Sequence, residues 1–348
     1  MKVALITDLH LGYKENTVQS KMMYETLDWF FEYLNKNQIK HIFILGDIFN
    51  SRTNIDFMTI KNTYDHLINP LIKDEIDAFV LAGNHDCYYK NTNDVYSVEL
   101  LFSHVKNLKL IKSQPESIVI GNTSFLLVPW MASDNHEKCM QCINESHDDY
   151  LLGHFEINGF TMIKGIQCRN GIPVDTFRKF KKVFSGHFHI NDDKENICYI
   201  GTPYEKDWND RNENKGFYVL DLNTDQYEYI KNENNFHITL EYNNGFNGSI
   251  ENLKDKNVKL IVNNIDKQSK FDKDILELQR VNPYKLQIIE NTQTILTENT
   301  DNINDQHVEF DINDNIKLLT DYTEKTETDL NKKILTDTLI EIYNESIA

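Results

Sequence analysis

Gly83-Asn84-His85-Asp86 places three side chains of different chemistry behind an apolar run, Ala78-Phe79-Val80-Leu81-Ala82. That run has the composition of a buried strand. Asn84 offers a neutral oxygen ligand. His85 can donate a proton near neutral pH, and Asp86 can fix the tautomer and orientation of that ring. Four other apolar runs end in the same kind of residue. Val3-Ala4-Leu5-Ile6-Thr7 leads into Asp8-Leu9-His10, and His41-Ile42-Phe43-Ile44-Leu45 into Gly46-Asp47. Tyr150-Leu151-Leu152 leads into Gly153-His154, and Lys182-Val183-Phe184-Ser185 into Gly186-His187-Phe188-His189.

Strand ends carrying Asp, Asn and His converge on one rim of a sheet, where open α/β folds place their ligands. The collected groups are Asp8, His10, Asp47, Asn84, His154, His187 and His189. They are too many for one ion and suit two, with one carboxylate, most simply Asp47, bridging them. Mixed carboxylate, imidazole and amide donors suit Mn²⁺, Fe²⁺ or Zn²⁺. Two such ions ~3.5–4 Å apart stabilise the attacking and leaving oxygens of a phosphoryl displacement and turn a bridging water into a nucleophile. His85 is the strand-end histidine left over from ligation, which makes it the expected general acid. Of 12 histidines, five fall in these motifs. His41, His66, His104, His136, His147, His237 and His307 read as hydrogen-bonded structural residues.

The elements that must position these groups follow from the spacing. Strand, helix, strand, helix, strand across residues 2–82 is the alternation of a layered α/β fold. Met23, Leu27, Phe30, Phe31 and Leu34 recur at helical spacing, so Ser20 to Asn35 is an amphipathic helix. Helical periods also fit 56–74, 97–104 and 135–146. Short strands are expected at 108–111, 117–120, 123–128, 216–222 and 226–231, which makes the sheets mixed. A second unit begins near 236, with a strand at Val258–Val262, a helix at Ser269–Arg280 and a strand at Tyr284–Ile289. Residues 291–315 are rich in Asn, Thr and Asp and read as linker. Leu330, Ile334, Leu335, Leu339, Ile342 and Tyr343 return to one face of a helix. The expected division is a catalytic domain at 1–235, a small βαβ cap at 236–290, a linker at 291–315 and a helical partner-binding segment at 316–348.

The chain has 348 residues and a net charge of −18. Such a charge argues against nucleic acid as partner, but residues 286–348 hold 14 acidic and 4 basic residues, so −10 of it lies there. Basic residues gather at Arg178, Lys179, Lys181 and Lys182, with Lys164 and Arg169 upstream, either as an anion-binding patch or as a solvated face. No stretch approaches the roughly 18 apolar residues of a membrane helix, and the first residues enter a strand directly, so no signal peptide is expected and the cytoplasm is the expected location. The five cysteines read as reduced thiols. Cys139 and Cys142 form a lone C-x-x-C with no second pair to complete a zinc site.

Taken together, Asp8-x-His10, Gly46-Asp47, Gly83-Asn84-His85-Asp86, Gly153-His154 and Gly186-His187-x-His189 resemble the five motifs of the calcineurin-like metallophosphoesterases. The extended forms Asp8-Leu9-His10-Leu11-Gly12 and Gly46-Asp47-Ile48-Phe49-Asn50 resemble the SbcD-type DNA repair nuclease branch, which includes phage recombination endonuclease subunits. Gly153-His154-Phe155-Glu156 and Tyr199-Ile200-Gly201-Thr202-Pro203 share that wording. The resemblance spans about residues 1–220. It implies an αββα sandwich of two mixed sheets flanked by helices, with a small α+β cap domain and a C-terminal helical tail. It further implies two Mn²⁺ or Mg²⁺ ions, one held by Asp8, His10, Asp47 and His189 and the other by Asp47, Asn84, His154 and His187. His85 would be catalytic, supported by Asp86. The implied partners are DNA, an SMC-like SbcC-type ATPase subunit and a second copy of the chain, and the apolar face of the 20–35 helix either meets that copy or simply covers the chain's own sheet. The implied activities are exonuclease on duplex ends and endonuclease on single strands. Asn50 stands where that branch usually has Asp, outside the ligand set, so little effect on metal binding is expected. The other readings are a phosphoesterase of the same fold acting on nucleotides or phosphoproteins, and a non-catalytic scaffold.

Overall fold

The apolar runs that end in Asp, His or Gly all become strands. The computed structural model describes residues 1–290 and, beyond them, 323, 332–333, 335–336 and 338–340. The chain runs β1 (Lys2–Ile6), α1 (Val18–Lys36), β2 (His41–Ile44), α2 (Phe57–Thr63), a π turn over Tyr64–Ile68, α3 (Asn69–Lys73), β3 (Asp77–Leu81) and α4 (Ser97–Phe102). β4 (Leu108–Ile111), β5 (Glu116–Ile120), β6 (Thr123–Val128), α5 (His136–Glu145) and β7 (Tyr150–His154) follow. A hairpin of β8 (Thr161–Ile163) and β9 (Ile166–Gln167) precedes β10 (Lys182–Gly186), β11 (Asp192–Lys194), β12 (Ile197–Tyr199), β13 (Gly216–Asp221) and β14 (Gln226–Lys231).

Two six-stranded mixed sheets result, in the orders β14-β13-β1-β2-β3-β4 and β11-β12-β10-β7-β6-β5. β1 to β4 are parallel, as are β6, β7, β10 and β12. Alternate residues of a strand face opposite sides, and here both sides are covered. Val3, Leu5, Phe43 and Leu81 meet Phe125, Leu127, Tyr150, Leu152 and Phe184 between the sheets. On the outer side of the first sheet, Ala4, Ile6, Ile42, Ile44 and Val80 meet α1. On the outer side of the second, Leu126, Leu151 and Val183 meet Cys139 and Ile143 of α5. This is the αββα sandwich.

The apolar face of α1 covers the chain's own sheet. Met23, Leu27, Phe30, Phe31 and Leu34 are all buried under the first sheet's helical layer. Truncating Phe30 to Ala would cost about 3–5 kcal/mol. The helix expected over 56–74 is present from Phe57 to Lys73, with the π turn over Tyr64–Ile68 inside it. Pro70 lacks an N–H and its ring crowds the preceding turn, and the Asn69 N–H reaches back five residues to Tyr64 O rather than four.

A third sheet, β15 (His237–Asn243), β16 (Asn257–Asn264) and β17 (Lys285–Glu290), is parallel throughout, with α6 (Gln268–Arg280) crossing from β16 to β17. β15 was not expected, although Ile238, Leu240 and Tyr242 alternate with His237, Thr239 and Glu241 in the period of a half-buried strand. Leu240, Tyr242, Val258, Leu260, Phe271 and Leu278 form this part's own core. Glu205 ties it to the sandwich by accepting the Phe236 and His237 N–H groups, each at 2.7 Å. Met1–Asn291 form one compact unit and Thr292–Ala348 a second. The linker at 291–315, with His307, lies outside the described residues. So does the expected Leu330–Tyr343 helix, except for the positions given above, which are helical. No helix among the described residues is long and apolar enough to cross a membrane.

Candidate metal centre

The carboxyl ends of β1, β2 and β3 face those of β7 and β10 across the rim of the sandwich, and the chain is strained where they meet. Asp8, His10, Asp47 and His187 all adopt left-handed backbone, with φ of +53°, +44°, +53° and +87°. That region is uncommon for residues with a Cβ, and its use clusters at functional sites held by surrounding structure. Gly46 and Gly83 allow the approach. A Cβ on Gly46 would stand 2.6 Å from His154 Nδ1, and one on Gly83 would overlap the Asp47 main chain.

The two sheets are joined at this rim by the candidate ligands themselves. The His187 N–H donates to both Asp8 oxygens at 3.1 and 3.2 Å. His154 Nδ1 lies 2.7 Å from Leu45 O, to which it donates. The His85 N–H donates to Asp47 Oδ1 at 2.8 Å. Three overlapping groups of possible ligand atoms result, each within 4.8 Å of one another: Asp8, His10 and His189; His10, Asp47 and His85; Asp47, His154 and His187. Asn84 completes the set, with Oδ1 2.9 Å from both His154 Nε2 and His187 Nδ1.

The donor chemistry fits cations. His154 spends Nδ1 on Leu45 O, and His187 spends Nε2 on Glu156 at 3.1 Å. Their other nitrogens then turn lone pairs toward Asn84 Oδ1, and Asp47 Oδ2 lies 3.5 Å from His154 Nε2. Such a ring of acceptors needs a proton or a cation at its centre. The electrostatics agree. Burial opposes a charge on His154, but Asp47 overrides it and pushes the imidazole up to about 9. Burial likewise opposes the Asp47 carboxylate, yet His154, His85 and His10 hold it well below the usual range. At the other end, His10 Nε2 and His189 Nε2 are 2.9 Å apart. Burial and the nearby Lys206 push both rings well below 6.5, so they are neutral, the form that binds metal. His10 Nδ1 is buried without a hydrogen-bond partner.

Asp86 does not orient His85. Its Oδ1 accepts the Phe49 N–H at 3.0 Å and its Oδ2 the Gly83 N–H at 3.1 Å, which fixes the β2 and β3 end loops to each other. Burial, reinforced by Asp47, pushes this carboxyl up to about 7. The His85 ring is instead held by Asn50, whose main-chain oxygen lies 2.8 Å from Nδ1.

Two neighbours of the cluster were given no role from the sequence, although Glu156 stands in the Gly153-His154-Phe155-Glu156 wording. Trp130 packs against His187 and His154, with ring centroids 5.1 and 5.9 Å away. Glu156 holds His187. Each stands two residues beyond a buried strand, close to the position that marked the ligands. Much of the basic cluster, in contrast, is paired within the chain. Lys182 pairs with Asp193, Lys181 with Asp149 and Asp225, Arg178 with Asp175 and Lys164 with Glu213. Lys179 donates to the Asn144 and Ser146 carbonyls. Cys139 and Cys142 are free thiols, and burial pushes Cys139 up to about 12.

Comparison with known proteins agrees with this geometry. The calcineurin-like phosphoesterase family profile matches residues 1–191. Exonuclease subunit 1 of Enterobacteria phage T4 is 30% identical over 279 residues, which cover 79% of this chain and 81% of that protein. The DNA double-strand break repair protein Mre11 of Nanoarchaeum equitans is 23% identical over 247 residues, covering 63% of this chain and 66% of that protein. On the match over residues 1–191 and the likeness to the phage protein, the chain belongs to the calcineurin-like phosphoesterase family.

Proposed function

We propose that this phosphoesterase is the nuclease subunit of a DNA recombination and repair complex, cutting DNA phosphodiesters with two Mn²⁺ or Mg²⁺ ions. The observation that carries this reading is the run of acceptors from His10 and His189 through Asp47 to Asn84, His154 and His187, built from the ends of both sheets. The names of the two relatives supply the substrate class. Asp8, His10, Asp47 and His189 would hold one ion, and Asp47, Asn84, His154 and His187 the other. Bound there, the ions would supply Lewis acidity and an activated water.

The remaining steps fall to the chain. Asp47 sits between both ligand groups and would be shared by the two ions. Glu156 holds the His187 ring and Leu45 O the His154 ring, which fixes the nitrogens that face the ions. His85 is the proton donor to the leaving oxygen. With Nδ1 donating to Asn50 O, a proton on Nε2 requires the imidazolium. Burial lowers the pKa of His85, so the free protein disfavours that form. The negative charge of a bound phosphodiester favours it.

In this reading 236–290 is a small cap domain, 316–348 docks an SMC-like ATPase, and the chain works as a homodimer. Deleting 316–348 would then abolish capture of the ATPase while leaving nuclease activity and melting temperature in place. The deciding assay compares Mn²⁺-dependent cleavage of single-stranded DNA with hydrolysis of a chromogenic phosphodiester. Cleavage of both supports the nuclease. Hydrolysis of the small ester alone would support a nucleotide or phosphoprotein phosphoesterase, and activity on neither a scaffold.

A further inference from the structure

We infer that the cavity beside the His154–His187 end of the cluster receives one unpaired nucleobase of the strand being cut. This rests on the nuclease reading and adds how the strand is gripped. The cavity measures about 300 Å³, at the small end of the range that ligand pockets occupy. That suits a single ring system rather than a length of chain. Trp130, Met131, Met140, Phe155, Ile172 and Pro173 form its apolar walls, and His154 lines it as well. No lysine or arginine is among its described lining residues. Glu156 lines it too. A carboxylate there rejects anions and accepts hydrogen bonds from exocyclic amino groups, as acidic side chains do from cytosine.

Trp130 is the residue that decides the occupant. Its ring is tilted 39° to that of His187 at 5.1 Å, so an aromatic wall adjoins the ligand that would face the phosphodiester. Its main chain is fixed on both sides. The N–H donates to Ala82 O at 2.7 Å. The carbonyl accepts from Asn93 Nδ2 at 2.8 Å and Asn135 Nδ2 at 3.1 Å. An indole on a backbone pinned in this way, beside a reacting phosphate, is a stacking platform, and stacking tolerates any base because every base has a π face. A base paired inside a duplex cannot enter, so the occupant is unpaired or flipped out. The pocket therefore ties cleavage to a locally melted strand.

The test is an abasic scan of a single-stranded oligonucleotide, with one base removed at each position in turn. Binding is read by fluorescence anisotropy in EDTA and cleavage by product formation in Mn²⁺. The wild-type protein should lose about 5- to 150-fold at one position adjoining the scissile phosphate and little elsewhere. Trp130→Ala should erase that position's penalty, and Trp130→Phe should keep part of it. Should Trp130→Ala not fold, Met140→Trp, which fills the cavity, should bring the intact strand down to the abasic level. A flat scan on a strand that is cut normally overturns the base pocket alone, and so does a penalty that persists in folded Trp130→Ala. Failure to cut the intact strand in Mn²⁺ overturns the nuclease reading with it.

Discussion

His85 donates its Nδ1–H to the main-chain oxygen of Asn50 at 2.8 Å, and the carboxylate of Asp86 is turned away from that ring. Because the Asn50 contact runs through the backbone, the amide side chain at that position is free to differ from Asp without disturbing the proton donor. It also means that the His85 ring is aimed by a loop after β2 while its own backbone is tied to Asp47.

Replacing His85 with Ala should therefore leave both metal sites filled and remove only the proton transfer, a loss of about 10²–10⁴-fold on DNA. A leaving group that departs readily as an anion needs no proton. The same variant should lose far less on a nitrophenyl phosphodiester than on DNA. Equal losses on both substrates would assign His85 to binding rather than to acid catalysis.

Asp47 lies 3.5 Å from His154 and 3.9 Å from His10, within reach of both ligand groups. Metal analysis after loading with Mn²⁺ should give about two ions per chain. Asp47→Asn, which keeps the shape and removes the shared charge, should weaken both sites together. A stoichiometry of one in the unaltered protein would rule out the two-ion arrangement.

Beneath the cluster, Lys215 is buried and donates to His189 O and Thr202 Oγ1, each at 2.8 Å, and to Asp210. Lys215→Met should cost about 3–5 kcal/mol, since it strands the Asp210 carboxylate without its partner. Burial alone would raise that carboxyl, yet Lys215 holds it below its ordinary value of 3.8. A depressed carboxyl stabilises the fold above its unfolded pKa, and the stabilisation disappears as pH falls through the folded value. Melting temperatures followed downward from pH 5 should show this loss below about pH 4 in the parent and a smaller one in Lys215→Met. Parallel profiles would mean that the pair does not govern acid stability.

The ligand types were legible because each breaks an apolar run at its carboxyl end, and parallel strands bring those ends to one rim. What could not be read depends on partners distant in the chain. Asp86 looks like an orienting carboxylate next to His85, but its two acceptors are claimed by Phe49 and Gly83. Lys181 and Lys182 look like a basic patch until Asp149, Asp193 and Asp225 arrive from other strands. Trp130 carries no motif, and only the folded chain shows it beside His187. The α1 face is the converse case, since an amphipathic helix does not say whether its own sheet or another molecule covers it.

With that face buried, a homodimer must use other residues. Phe57 and Leu100 are 89% and 70% exposed, and Met58 is also exposed. Phe57 and Met58 open α2 and Leu100 lies on α4. The two helices are neighbours, since Tyr64, at the end of α2, packs edge-on against Phe102 of α4 with centroids 5.2 Å apart. Single exposed apolar residues are ordinary, whereas several on neighbouring helices mark an interaction surface. Light scattering at micromolar concentration should give the mass of two chains. Phe57→Glu combined with Leu100→Glu should give one chain without lowering the metal content, since neither residue touches the cluster. A monomeric parent protein would end the homodimer proposal, and a dimer that survives both charges would place its interface elsewhere.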